Sequence, residues 1–228
     1  MIARGDEQAG LPMTIEVSAF RWVPPVAQGY VRDLRVRWAL EEAGLPYEAA
    51  LVDPTVLASP GYRAWNPFGQ VPAYRDESVE LFESGAIVLH IAAKSEALAP
   101  RDEAGRLRVM SWVIAALITI EPPAQYLVEC AFFHAGEAWA EERRPLAEAS
   151  VDARLAALVA WLDGKDYLES RFTAGDLIMT TVLRDLVDCG ALARFPVLDA
   201  YRRRCEARPA FGRALEAQLQ TYRENAPS

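Results

Sequence analysis

Apolar positions in the first part of the chain alternate between strand and helix periods. Thr14 to Ala19 is an apolar-rich run that predicts a strand, and Val36, Ala39, Leu40 and Ala43 then recur at helical spacing. Gly44 and Pro46 end that helix, the first as a residue suited to the left-handed cap and the second as one that cannot continue it. Tyr47 to Val52 predicts a second strand. A connector containing Gly61 to Trp65 leads to two short hairpin strands across the turn Arg75-Asp76-Glu77-Ser78. Ile87, Val88, Ile91 and Ala92 then form an apolar stripe, which predicts a helix with Ser84 near its N-cap.

The order strand, helix, strand, connector, hairpin, helix describes a thioredoxin-like α/β unit over residues 13–94. Residues 95–105, with Pro100 and alternating charges, read as a linker. From 106 to 228 the pattern is helical throughout, an all-α second domain rich in Ala and Leu. Arg106 to about Cys130 is one apolar segment, where Pro122 and Pro123 predict a kink or break. Arg144 to Asp163 predicts the next helix. Thr173 and Asp176 stand at capping-box spacing and predict the start of another, a folding signal rather than a chemical one. A last helical region runs from about Val197 to Tyr222, in two pieces around Pro209. Residues 1–12 are expected to be an unstructured extension, with Met13 a second possible start.

Composition narrows the function. The chain has 228 residues, of which 52% are hydrophobic and 25% charged, enough to bury a sizeable core. Its formal net charge of −8 argues against nucleic acid as a partner, because a phosphate-binding surface needs an excess of Lys and Arg. The short basic runs Arg143-Arg144 and Arg202-Arg203-Arg204 read as solvated helix faces. No uninterrupted apolar run reaches membrane-spanning length and the N-terminus lacks a signal-peptide pattern, so a cytoplasmic protein with no membrane partner is expected. Cys130, Cys189 and Cys205 all lie in the helical half without a Cys-x-x-Cys pair, which predicts reduced structural thiols. His90 and His134 have no acidic cluster nearby in sequence, so no metal site is expected.

Two short motifs carry the chemistry. Asn66-Pro67-Phe68-Gly69-Gln70-Val71-Pro72 places a proline at a strand start, where its missing N–H is tolerated. Glu83-Ser84-Gly85-Ala86-Ile87 follows the hairpin at a strand-to-helix junction. Together with the run from Arg35 to Glu48, these motifs resemble the cytosolic glutathione transferase family, with zeta-, tau- or theta-like features and an atypical first-strand turn. The resemblance covers the whole N-terminal half. It implies a cis Val71–Pro72 bond that turns the N–H and C=O of Val71 toward a cleft, where they pair with the cysteinyl backbone of glutathione. It also implies that Gln70 contacts the tripeptide. At the junction, the helix N-terminus and the Ser84 hydroxyl can hold a carboxylate while Glu83 takes an ammonium; a γ-glutamyl headgroup carries one of each.

The same resemblance implies a transferase that uses glutathione as co-substrate, needs no metal, attacks a small electrophile and pairs as a homodimer. No cysteine occurs in the N-terminal half, which excludes mixed-disulfide catalysis from that domain. The thiol-activating residue is left between alternatives. Counting back from Arg35-Val36-Arg37, Tyr30 falls where relatives carry a serine, as the candidate catalytic hydroxyl, or else as a residue packing the helix start. Arg21, Trp22 and Gln28 are the other polar groups of that turn, and the Ser18 hydroxyl is expected to point into the sheet. Trp22, Met110, Trp112 and Tyr126 are candidates for the acceptor pocket. A rival class is a binding or scaffold protein that keeps the fold and loses the chemistry. Finally, Val109 to Ile120 is apolar on nearly every face, which points to burial between two subunits.

Overall fold

The computed structural model describes residues 14–227; the expected N-terminal extension and Met13 lie outside them. Four strands form one mixed sheet in the order β2-β1-β3-β4, with β1 (Ile15–Phe20), β2 (Tyr47–Val52), β3 (Ala73–Arg75) and β4 (Glu80–Phe82). β1 and β2 run parallel, which requires the crossover helix α1 (Asp33–Ala43) between them, while β3 is antiparallel to both β1 and β4. Gly44 caps α1 at φ 66°, and the Leu45 N–H reaches back to the Leu40 carbonyl.

The connector is more ordered than its composition suggests. It folds into α2 (Pro54–Ala58) and α3 (Pro60–Trp65), each with proline in its first turn. The Asp53 carboxylate accepts from Thr55 and Val56 N–H, and the Ser59 hydroxyl accepts from Tyr62 N–H, so each short helix has a side-chain cap. After β4 comes α4 (Ser84–Ala93).

The helical layer contains α5 (Glu103–Ile114), α6 (Glu121–Val128), α7 (Ala138–Trp161), α8 (Ala174–Asp185), α9 (Pro196–Glu206) and α10 (Pro209–Glu224). Pro122 and Pro123 do not break the segment around them. Wide π turns at Ala115–Ile120 and Glu129–Phe133 keep Glu103–Phe133 helical throughout. The Glu121 N–H reaches the Ala116 carbonyl five residues back, and this register change accommodates two residues that have no N–H to give. By length and composition this helix is also apolar enough to cross a membrane, a property that core helices share. Val109, Val113, Ala116 and Ile120 are buried and belong to the core shared with α8.

Trp38 joins the two layers. It is fully buried on α1 between Phe172 and Phe211, with ring centroids 5.7 and 4.8 Å away, and its indole N–H donates to Glu42. Beside it Asp33 and Arg37 form a buried 2.7 Å pair, and Gln218 of α10 donates to Asp33 at 2.6 Å. The Thr173–Asp176 capping box is present, and the same Asp176 carboxylate accepts from Leu168 N–H and the Tyr201 hydroxyl. Arg202 is not a solvated residue of its helix face, since Asp199 and Glu206 bracket it. Both histidines have acidic neighbours, contrary to the expectation: Asp76, 14 positions back, beside His90, and Glu129 and Glu137, close in sequence, beside His134. No group of three metal-ligating side chains forms among the described residues.

Candidate functional site

The loop before β3 is built around one carbonyl. Gln70 C=O accepts from the Tyr62 hydroxyl at 2.8 Å and from the Asn66 amide at 2.7 Å. Tyr62 is in turn 2.7 Å from the Ser18 hydroxyl, which accepts from Ala73 N–H at 2.7 Å. Ser18 is thus buried in the sheet, as its place in β1 suggests, and serves the loop. Gly69 has φ 62°, a left-handed conformation that selects glycine. The Val71–Pro72 peptide is cis. Neither the N–H nor the C=O of Val71 has a partner among the described residues, which leaves an edge-like donor and acceptor available.

Across from this loop α4 begins. Glu83 occupies the N-cap position with φ 69°, a positive value that β-carbon sterics disfavour. Ser84 is the first helical residue, one place further on than a capping residue, and makes no capping bond. Its hydroxyl accepts from Arg35 Nη1 at 3.4 Å. A cavity of about 200 Å³ brings Gln70, Val71, Pro72, Glu83 and Ser84 together, with Arg32 and Arg35 on its wall.

Two arginines and a glutamate form the floor. Arg35, 4% exposed, donates to Glu121 at 2.9 Å, and Arg32 meets the same carboxylate at 2.9 Å. Burial pushes the Glu121 carboxyl up, but the Arg35 and Arg32 guanidiniums outweigh it and hold the group below its ordinary range. Asp185, at the end of α8, faces this cluster. Burial raises its carboxyl to about 6, against the opposing pull of Arg35. A second cavity of about 500 Å³ opens alongside, walled by Val26, Val31, Val128, Phe132 and Phe133, with Asp185, Asp188 and Cys189 also on its surface.

Residues 28–93 match the family model "Glutathione S-transferase, N-terminal domain". A probable glutathione S-transferase of Oryza sativa subsp. japonica is 48% identical over 62 residues, and glutathione S-transferase 3 of Zea mays is 48% identical over 63. These alignments cover 26% and 27% of this chain and 28% of each relative's length. A glutathione transferase from Burkholderia graminis, solved with two glutathione molecules bound per subunit, superposes with a TM-score of 0.78 at 26% identity, covering 92% of this chain and 90% of that one. One from Pseudomonas fluorescens with two glutathione bound gives a TM-score of 0.78 at 25% identity, covering 92% and 95%. The likeness to glutathione transferases thus rests on the N-terminal model over residues 28–93 and on the fold shared with those solved structures.

The glutathione transferase model begins at residue 28, after most of the first-strand turn. That turn places Tyr30 on the wall of both the second cavity and the cavity of about 410 Å³ beside Val71. The Tyr30 hydroxyl donates to Asp188 at 3.0 Å, and burial followed by that bond raises its pKa above the ordinary tyrosine value. Its proton is therefore committed to a carboxylate. Arg21 turns to Asn225, and Gln28 donates to the Val23 carbonyl. Of the acceptor-pocket candidates, Trp22, Met110, Trp112 and Tyr126 line none of the cavities around this site. Trp112 packs on Trp161 and donates to Glu169, while Met110 and Tyr126 lie on the outer face of the long helix. The cavity beside the site is walled instead by Val26 and Val31 of the turn and by the far end of that helix. Arg32, Arg35, Glu121 and Asp185 were not legible as one cluster, because Arg35 and Glu121 meet across 86 positions of sequence.

Proposed function

We propose that this protein is a glutathione transferase that binds glutathione along Gln70, Val71, Pro72, Glu83 and Ser84 and directs its sulfur at a small electrophile. The carrying observation is the convergence of those five residues on one cavity, with the Val71 backbone groups unpartnered. Those groups pair with the cysteinyl backbone, the start of α4 and Ser84 take the γ-glutamyl carboxylate, and Glu83 takes its ammonium. The apolar cavity walled by Phe132 and Phe133 takes the acceptor. The glutathione bound in two of the structural neighbours supports glutathione as co-substrate. No step of this chemistry calls for a metal. The reading also includes a cytoplasmic homodimer of zeta-, tau- or theta-like type with a role in detoxification. The domain limits of 13–94 and 106–228 belong to it as well.

A second reading is a glutathione-binding or scaffold protein without transfer chemistry. It is favoured by one observation, the engagement of the Tyr30 hydroxyl by Asp188. Assaying glutathione consumption against a panel of aryl halides, epoxides, enones and hydroperoxides separates the two. Saturable turnover with any of them supports the transferase; tight binding of glutathione with no acceleration in the whole panel supports the binder.

A further inference from the structure

Asp185 is chemically unusual for its position. Among the described carboxylates it alone lines both the acceptor cavity and the cavity of about 410 Å³ beside Val71. It accepts no hydrogen bond or ion pair from any described residue, whereas its acidic neighbours are engaged: Glu121 by Arg32, Arg35 and Gln125, and Asp188 by the Tyr30 hydroxyl. Val71, Arg32 and Asp185 line this second cavity together, so the thiol of a cysteinyl residue paired with Val71 would lie within it.

We propose that Asp185 is the base that takes the thiol proton of bound glutathione, with Arg32 stabilising the thiolate. This rests on the reading of the Val71 cavity as the glutathione site. The S–H bond breaks, its proton passes to a carboxylate oxygen of Asp185, and the electron pair stays on sulfur and forms the new bond to the acceptor carbon. In an addition, Asp185 returns the proton to the acceptor atom that gains charge; in a substitution, the leaving group departs as an anion and the proton goes to solvent.

The groups around Asp185 fit a base. Arg32 and Arg35 face it from the α1 side, Glu121 from α6, Arg184 from its own helix, and Asp188 lies one turn on. Burial lifts its carboxyl to about 6, Arg35 opposes the rise and Glu121 adds to it. A carboxylate at that value is ionised at neutral pH yet far more basic than a solvated aspartate.

The test is the pH dependence of kcat/KM for glutathione attack on 1-chloro-2,4-dinitrobenzene, measured for the native protein, Asp185→Asn and Asp185→Glu, with glutathione affinity by calorimetry alongside. The native profile should rise through an acid limb near pH 6. In Asp185→Asn that limb should vanish and the rate should climb only through the thiol's own range near ~8.5. Turnover at neutral pH should fall roughly 100-fold or more while glutathione affinity changes by less than about threefold. Asp185→Glu should recover an acid limb. A native profile flat between pH 5 and 7, no acceleration by the native protein, or an Asn variant with native profile and rate overturns the proposal. Native protein that fails to bind glutathione at all overturns the reading of the site beneath it.

Discussion

Two residues show how burial sets chemistry here. The Tyr30 hydroxyl, the candidate thiol activator, donates to Asp188, so removing it should matter little to the proposed reaction. Tyr30→Phe is expected to keep kcat/KM within about threefold of native, because the hydroxyl donates to Asp188 and has no second proton to offer a sulfur; a loss of 100-fold or more would return the activating role to Tyr30. Asp185 makes the opposite case. Its folded-state pKa of about 6 lies above the ordinary aspartate value of 3.8, so the folded protein binds the proton more tightly than the unfolded chain. Stability from this group is present below about pH 4 and declines as pH rises toward 6, after which the ionised carboxylate imposes a constant penalty. Asp185→Asn should therefore raise unfolding free energy at pH 7, by on the order of 2 to 3 kcal/mol, and leave it nearly unchanged at pH 3.5. Equal effects at both pH values in denaturant titrations would contradict the assignment.

At the scale of elements, the hairpin and α4 are held together by Asp76. Its carboxylate accepts from the Tyr74 hydroxyl, Ser78 N–H, Val79 N–H, His90 and Lys94, which binds β3, the turn and two turns of α4 to one buried charge. Burial alone would raise this carboxyl, but the bonds from Lys94, His90 and Ser78 hold it far below the ordinary range. Stability from Asp76 is thus present above about pH 4 and lost as pH falls below it. Asp76→Asn should cost about 2 to 4 kcal/mol at pH 7 and flatten the acid limb of the stability profile, measured by urea unfolding. An unchanged limb would remove Asp76 from this role. The sequence pattern revealed β2 at its observed bounds, the end of α1 at Gly44 and the box that starts α8, because those signals are local. It concealed α2 and α3, whose single turns are too short for a periodic stripe. It also concealed the π turns, since nothing local says that a helix will widen rather than break at Pro122 and Pro123. The loop and junction residues of the proposed glutathione site were legible as contiguous motifs. The Arg32, Arg35, Glu121 and Asp185 cluster was not, because α1, α6 and α8 each contribute to it.

Across the whole molecule, α5 and its continuation leave an apolar stripe outside the core. Leu107, Met110, Ile114 and Ile118 stand one turn apart on this face, and Ile118 is 70% exposed. Such a face is best covered by a second copy, in a twofold contact where the same patch serves both subunits. The native protein should sediment at about twice 25.2 kDa, and Ile118→Asp should shift it toward monomer. A native monomer at micromolar concentration would refute the pairing. Whether the cavity between Val71 and Ser84 is a γ-glutamyl thiol site is decided by calorimetric titration with glutathione and with cysteinylglycine, which lacks the γ-glutamyl headgroup. Glutathione should bind, cysteinylglycine should bind far more weakly, and Ser84→Ala should weaken glutathione by about 1 to 3 kcal/mol. Equal binding of the two peptides, or glutathione affinity untouched by Ser84→Ala, would contradict that reading of the cavity.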